Sequence, residues 1–112
     1  MPLKCDEYNN VCVIAPHGDF AGEDTTELQK QVEELIEKKQ IVDFVVDFEK
    51  CGFIDSKGLS TLLWAKRRCE DLFGQLKLVN LDDNCRKILE ITRLSHRFEC
   101  HQGLESALKT IS

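Results

Sequence analysis

Apolar residues along this chain switch repeatedly between the spacing of a β-strand and that of an α-helix. Five short segments are apolar or alternating and rich in β-branched or aromatic residues, a pattern that predicts strands at residues 3–7, 11–15, 41–48, 75–79 and 97–100. After each strand from the second onward, apolar residues fall on one helical stripe, as in Leu28, Val32, Leu35 and Ile36. This spacing predicts four amphipathic helices.

Polar and small residues indicate where these helices begin and end. Asp24, three residues before Glu27, forms a capping-box arrangement that predicts the start of the first helix. Asp82 or Asp83 is placed to cap the third helix. Gly74 is expected to end the second helix as a C′ glycine.

Strands that alternate with helices predict right-handed crossovers and a mainly parallel sheet. The turn signal at Tyr8-Asn9-Asn10 predicts that the first two strands form a hairpin. With 112 residues and no internal repeat or linker-like segment, the chain fits one domain. We therefore expect a single α/β domain over residues 1–112, with a layer of four helices against a mixed, mostly parallel sheet.

The charge and composition argue against two classes of protein, nucleic-acid binders and membrane-spanning proteins. The net charge of −5 argues against a nucleic-acid binder, which needs a basic face. No stretch has the roughly 20 apolar residues of a membrane span, and the first residues do not resemble a signal peptide. We expect a cytoplasmic protein.

The six cysteines, at positions 5, 12, 51, 69, 85 and 100, include no Cys-x-x-Cys pair. Without a signal for export, they are expected to be reduced thiols in the core rather than disulfides. Cys5 and Cys12 can face each other diagonally across the hairpin, but such diagonals are usually too long for an unstrained bridge.

Motifs for catalysis or for binding a metal or cofactor are not found in the sequence. His17, His96 and His101 are scattered, and no Gly-x-Ser-x-Gly elbow or phosphate-binding glycine loop occurs. We expect neither an enzyme nor a metal or cofactor site.

The segment Val45-Val46-Asp47-Phe48, followed by Phe53-Ile54-Asp55-Ser56-Lys57-Gly58-Leu59, resembles the STAS domain of bacterial anti-sigma factor antagonists. Further segments match that family in the same order: Gly18-Asp19-Phe20, Gly74 with residues 75–79, residues 89–94 and residues 104–108. The resemblance covers nearly the whole chain.

The resemblance implies partner switching. The unmodified protein would bind an anti-sigma factor that is also a serine kinase of the GHKL ATPase type, and phosphorylation of Ser56 would end the interaction until a phosphatase reverses it. Asp55, Lys57, Gly58 and Asp19 would surround this site. A helix start suits a phosphate, Lys57 could pair with it, and Gly58 would leave room for a kinase. The alternative for Ser56 is a simple helix N-cap.

The second helix and the turn after the second strand would form the partner face, with the residues Phe20, Ala21, Leu59, Ser60, Trp64 and Arg67. Trp64 could equally be packed at the edge of the core. Because a face built for a partner helix can also serve self-association, the sequence leaves both a monomer and a homodimer open.

Three positions depart from the family pattern. Ala21 replaces an acidic residue, Lys57 a small hydroxyl residue and Arg93 a glycine. The first two change the charge near Ser56 and favour an alternative, a constitutive STAS subunit of the kind found in lipid-transporting ABC systems, without a phospho-switch. A small-ligand-binding domain is a third possibility.

Overall fold

A computed structural model of the protein describes residues 3–111. It contains the predicted order of elements, which are β1 (Lys4–Tyr8), β2 (Val11–Ala15), α1 (Glu23–Lys39), β3 (Asp43–Asp47), α2 (Ser56–Asp71), β4 (Gln75–Val79), α3 (Asp83–Ile91), β5 (Glu99–His101) and α4 (Leu104–Lys109). The third strand is shorter than the predicted segment 41–48. The fifth strand begins two residues later than predicted, because residues 94–98 form a turn with Phe98 buried at its end.

The strands form one sheet in the order β1-β2-β3-β4-β5. β1 and β2 pair antiparallel as the predicted hairpin, with Cys5 opposite Ile14 and Glu7 opposite Cys12. The pairs β2–β3, β3–β4 and β4–β5 are all parallel. The mixed, mostly parallel α/β fold is therefore confirmed.

The helices cover both faces of the sheet, so the expected single layer of four helices is wrong. One face, including Ile14, Phe44 and Leu78, packs against α1, α2 and α3 in a large core. The other face, including Val13 and Val45, packs against α4 in a smaller cluster. The physical reason is strand alternation, since β2 and β3 are apolar on both faces and each face needs a cover.

The first helix begins earlier than the capping box predicts. Gly22 occupies the N-cap position at φ 55°, and no side chain caps the helix there. The positive φ turns the chain into the helix before Asp24, so the capping-box prediction is wrong. Glu23 and Asp24 instead lie in the first turn, where the helix dipole favours acidic residues.

The end of the second helix also differs from the prediction. The residue in the left-handed conformation is Phe73, at φ 65°, while the N–H of Gly74 donates to the carbonyl of Cys69 at 2.8 Å. This is a Schellman motif with Phe73 at C′. Gly74 is required for a different reason, because a Cβ there would overlap the backbone of Val42. At the end of α3, Arg93 likewise takes a positive φ of 62°.

All six cysteines are free thiols. Cys12, Cys51, Cys69 and Cys85 are buried, as expected, whereas Cys5 and Cys100 are exposed. The sulfurs of Cys5 and Cys12 lie 2.6 Å apart, closer than expected for this diagonal, but no bridge joins them and the expectation of reduced thiols holds.

Among the helices of residues 3–111, none combines the length and the hydropathy needed to cross a membrane.

Candidate functional site

The candidate site lies where two loops meet at the carboxyl end of the sheet. The turn after β2 and the loop after β3 run side by side, joined by a parallel bridge between Phe20 and Ile54. The Phe20 N–H donates to the carbonyl of Phe53 at 2.8 Å, and the Gly18 N–H donates to the carbonyl of Lys50 at 2.9 Å. The turn predicted to lie beside Ser56 is therefore hydrogen-bonded to the loop that leads into it.

Asp55 caps the helix that begins with Ser56. Its backbone is extended and its Oδ1 accepts the N–H of Gly58 at 2.7 Å. Because Asp55 fills the capping role, the alternative that Ser56 is a simple N-cap does not hold. Ser56 occupies the first helical position instead.

The hydroxyl of Ser56 is exposed, and no group within residues 3–111 hydrogen-bonds to it. Helix geometry leaves the N–H groups of Ser56 and Lys57 without intrahelical acceptors. The Asp55 carboxylate offsets part of the positive end of the helix dipole, and the first turn of α2 adds no further acidic residue. This position combines a free nucleophilic oxygen with an environment that accepts negative charge.

Gly58 is buried, and its missing side chain faces the protein interior. A Cβ at this position would lie 2.5 Å from the carbonyl oxygen of Phe20 and 2.8 Å from Cγ2 of Ile54. The expectation that Gly58 leaves room for an approaching kinase is therefore wrong. The glycine instead allows α2 to pack directly on the backbone of the Phe20 turn, which holds Ser56 in place.

An apolar surface adjoins Ser56. The side chains of Phe53 and Ile91 are exposed by 43% and 74%. Together with Ile54, Leu59, Ile88 and Thr92 they line a shallow groove of about 320 Å³ that also includes Asp55 and Ser56. We call the exposed pair Phe53 and Ile91 the apolar patch.

Sequence reasoning missed the apolar patch. One signal was present, since Ile91 lies outside the inward stripe of its helix, which includes Cys85, Ile88 and Leu89. A large apolar residue on the outer face of an amphipathic helix indicates a contact surface when it has apolar neighbours. That neighbour, Phe53, is 38 positions away in the sequence, and only the fold brings it close.

A second groove lies further along α2. It has a volume of about 580 Å³ and is lined by Ser60, Leu63, Trp64, Lys66, Arg67, Glu70 and Arg97. Trp64 packs at the edge of the core while part of its surface remains accessible, and its contact with a partner stays a prediction. Lys66 is paired with Glu70 at 2.8 Å, and Arg67 is exposed.

A family model described as the STAS domain matches residues 3–107. The chain belongs to the STAS domain family. Its Ser56 site lies within the matched region, as do both grooves.

Solved structures share the fold of this STAS domain. A putative anti-sigma factor antagonist from Thermotoga maritima has a TM-score of 0.88 at 16% identity, covering 97% of this chain and 93% of that chain. The anti-sigma factor antagonist SpoIIAA in its unphosphorylated form has a TM-score of 0.84 at 19% identity, covering 97% and 95%. A sulfate transporter family protein from Wolinella succinogenes has a TM-score of 0.74 at 15% identity, covering 93% and 86%.

Two residues expected on the partner face of this STAS domain are buried. Phe20 has no exposed surface and stacks edge-on against Phe48, with ring centroids 6.3 Å apart. Leu59 is also part of the core. The expectation that their side chains form an exposed contact surface is therefore corrected, because both pack into the core, and Leu59 also lines the groove beside Ser56.

The other expected residues lie at the surface to different degrees. Ser60 and Arg67 are exposed, whereas Ala21 and Trp64 are half-buried. Asp19 is exposed on its turn, and its carboxylate adds to the effect of burial, which raises the pKa of the Cys51 thiol. Within residues 3–111, no group of three His, Cys, Asp or Glu side chains is arranged to hold a metal ion.

Proposed function

We propose that this STAS domain is an anti-sigma factor antagonist that works by partner switching, with Ser56 as its phosphorylation site. The observation that carries the proposal is the position of Ser56. It is an exposed, unbonded hydroxyl at the first position of a capped helix, directly beside the apolar patch.

The apolar patch supplies a reason for binding. Phe53 and Ile91 leave apolar surface in water at the rim of the Ser56 groove, and a partner that covers them gains free energy from removing that surface. Ser60 and Arg67 lie on the same side of α2, one and three turns further along. The proposed partner face therefore runs from the apolar patch along the outer side of α2.

Phosphorylation at Ser56 would end such an interaction. The partner kinase, proposed to be an anti-sigma factor of the GHKL ATPase type, would transfer the γ-phosphoryl group of ATP to the Ser56 Oγ. The bond between the γ-phosphorus and the β–γ bridging oxygen would break, and ADP and the hydroxyl proton would be released. The resulting charge of about −1.5 to −2 would have to be desolvated beneath the partner, which is costly. A phosphatase would restore the hydroxyl. The STAS domain itself would perform no chemistry.

Paired baits test this proposal. Ser56→Ala and Ser56→Asp proteins, together with Ser106→Ala and Ser106→Asp as matched controls at an exposed serine of α4 on the other face of the sheet, would be used to capture partners from the host's lysate. We expect the Ser56→Asp bait to retain a GHKL-type kinase at least about tenfold less well than Ser56→Ala, a loss of about 1.4 kcal/mol. The Ser106 pair should differ much less.

Equal capture of the same partner by both Ser56 baits, repeated with the protein phosphorylated at Ser56, would contradict the phospho-switch. A transporter ATPase retained equally on both baits would support the alternative, a constitutive STAS interaction subunit such as that of a lipid-transporting ABC system. The exposed Lys57 favours that alternative, because it changes the charge beside Ser56 relative to the family pattern.

A further inference from the structure

The β1–β2 hairpin carries a pair of thiols away from the Ser56 site. Cys5 lies opposite Ile14, and Cys12 lies two residues before Ile14 in β2. Residues directly opposite each other share a face of the sheet, as do residues two apart in one strand. Cys5 and Cys12 therefore lie on the same face, as diagonal neighbours.

The two sulfurs are in direct contact, at 2.6 Å. A disulfide bond has a length of about 2.05 Å, so its formation needs a sulfur displacement of roughly half an ångström. A metal bridge fits poorly, because two thiolates on one zinc ion, each about 2.3 Å from it, lie nearly 4 Å apart. The spacing therefore suits a direct sulfur–sulfur bond.

The two cysteines differ in a way that gives each a separate role. Cys5 is exposed and accessible to a reagent, whereas Cys12 has no exposed surface. A hydrogen bond from Cys12 lowers the pKa of the Cys5 thiol, and the same hydrogen bond, with burial, raises the pKa of the Cys12 thiol. Lys39 also lies near Cys5, with its Nζ 2.8 Å from Oε1 of Glu7.

We propose that Cys5 and Cys12 are a redox site that closes to a reversible disulfide when the protein meets a small disulfide such as oxidised glutathione. The Cys5 thiolate attacks one glutathione sulfur, forms a mixed disulfide and releases the first glutathione thiolate. Cys12 gives up its proton to that thiolate, attacks the Cys5 sulfur and releases the second glutathione as a thiolate, which takes up the proton that Cys5 lost to solvent. Two protein thiols are oxidised, and one glutathione disulfide is reduced to two thiols.

This proposal is independent of the function proposed for Ser56, and peptide masses test it directly. Trypsin would release Cys5 and Cys12 together in the peptide 5–30, and each other cysteine in a separate peptide. After treatment of the native protein with oxidised glutathione and alkylation of the remaining thiols, we expect the peptide 5–30 to be unalkylated and lighter by two hydrogen atoms. Dithiothreitol should restore both alkylation sites.

Three variants complete the test. Cys12→Ala should stop the reaction at a glutathione adduct on Cys5, and Cys5→Ser should leave Cys12 unmodified because it is buried. Cys100→Ser removes the other exposed cysteine and should leave closure of the 5–30 peptide unchanged. A wild-type peptide 5–30 that stays fully alkylatable, keeps a glutathione adduct or is cross-linked to another cysteine would overturn the proposal.

Discussion

The helices α2 and α3 begin with the same capping geometry and differ in what surrounds it. Asp55 Oδ1 accepts the N–H of Gly58 at 2.7 Å, and Asp82 Oδ1 accepts the N–H of Cys85 at 2.7 Å. Both capping residues have an extended backbone. A capped helix start therefore does not by itself distinguish a functional site in this protein.

The residues that follow the two caps make the difference. The first helical position is Ser56 in α2 and Asp83 in α3, so the fold already accepts a negative charge at the equivalent position. Phosphorylation of Ser56 is therefore expected to leave α2 folded and to change the surface instead. The apolar patch lies only beside the α2 start, which is why a charge there would have consequences for a partner.

The largest expected effect on stability comes from a substitution at the third helical position of α2, which is Gly58. Gly58→Ala places a Cβ 2.5 Å from the Phe20 carbonyl, and we expect it to lower the free energy of unfolding by about 1–3 kcal/mol, as overpacking does. The equivalent residue of α3, Cys85, has a buried side chain, and Cys85→Ala should act through a small cavity instead. Urea unfolding of both variants measures this, and an unchanged midpoint for Gly58→Ala would show that α2 can shift away from the Phe20 turn.

Substitutions of the two capping aspartates, Asp55 and Asp82, should lower the stability of the protein by similar amounts. Asp55→Ala and Asp82→Ala each remove an acceptor for a first-turn N–H, and each is expected to cost about 1 kcal/mol of stability. Asp55→Asn and Asp82→Asn retain an acceptor and should cost less. Denaturant unfolding of the four variants checks this. A loss of unfolding free energy for only one of the two helices would show that the two helix starts are not equivalent.

A smaller effect is expected for a charge at the first helical position. Ser56→Asp places a carboxylate near the helix dipole and should stabilise the protein by about 0.3–1 kcal/mol at low ionic strength. Ser60→Asp, one turn further along, should stabilise the protein less, because the dipole effect fades within the first turn. Thermal unfolding at low and high salt tests both variants. Destabilisation by Ser56→Asp would indicate that phosphorylation acts by loosening α2.

The smallest expected effect is on the pH dependence of stability, and it comes from Glu99 on β5, away from both helix starts. A hydrogen bond from Lys77, at 2.5 Å, and a second from His101 lower the pKa of the Glu99 carboxyl. Its stabilising contribution is therefore present above the unfolded pKa of about 4.3 and lost as the pH falls through the lower folded value. The stability difference between wild type and Glu99→Gln should be constant above about pH 5.5 and shrink toward pH 3. A difference that grows on acidification would contradict this.

Much of the fold could be predicted because its signals are local. The strand segments, the helical stripes and the cap of α3, expected at Asp82 or Asp83 and found at Asp82, depend on residues a few positions apart. The capping box at Asp24 failed for a local reason, because Gly22 begins the helix earlier, whereas other failed predictions involved spatial neighbours. Gly74 was expected to adopt the left-handed conformation, but that position belongs to Phe73, and the glycine is required by the backbone of Val42 on another segment.

The candidate site shows the same division. Ser56 and Asp55 were singled out through the resemblance to the STAS family, and the helix start on which they lie is a local pattern. The burial of Phe20 and the exposure of Ile91 could not be predicted this way. Each depends on which side of its element faces the sheet and on which loop packs beside it.

The sequence by itself determined the alternation of strands and helices, the hairpin, the single α/β domain and the serine at the start of the second helix. Hydrophobic spacing and capping residues act over one or two turns, so these features can be read without long-range contacts. Only the tertiary structure decided that α4 covers the second face, that Phe53 and Ile91 meet beside Ser56, and that Cys5 and Cys12 touch. These contacts depend on the twist of the sheet and on packing between segments far apart in the chain, which local patterns do not encode.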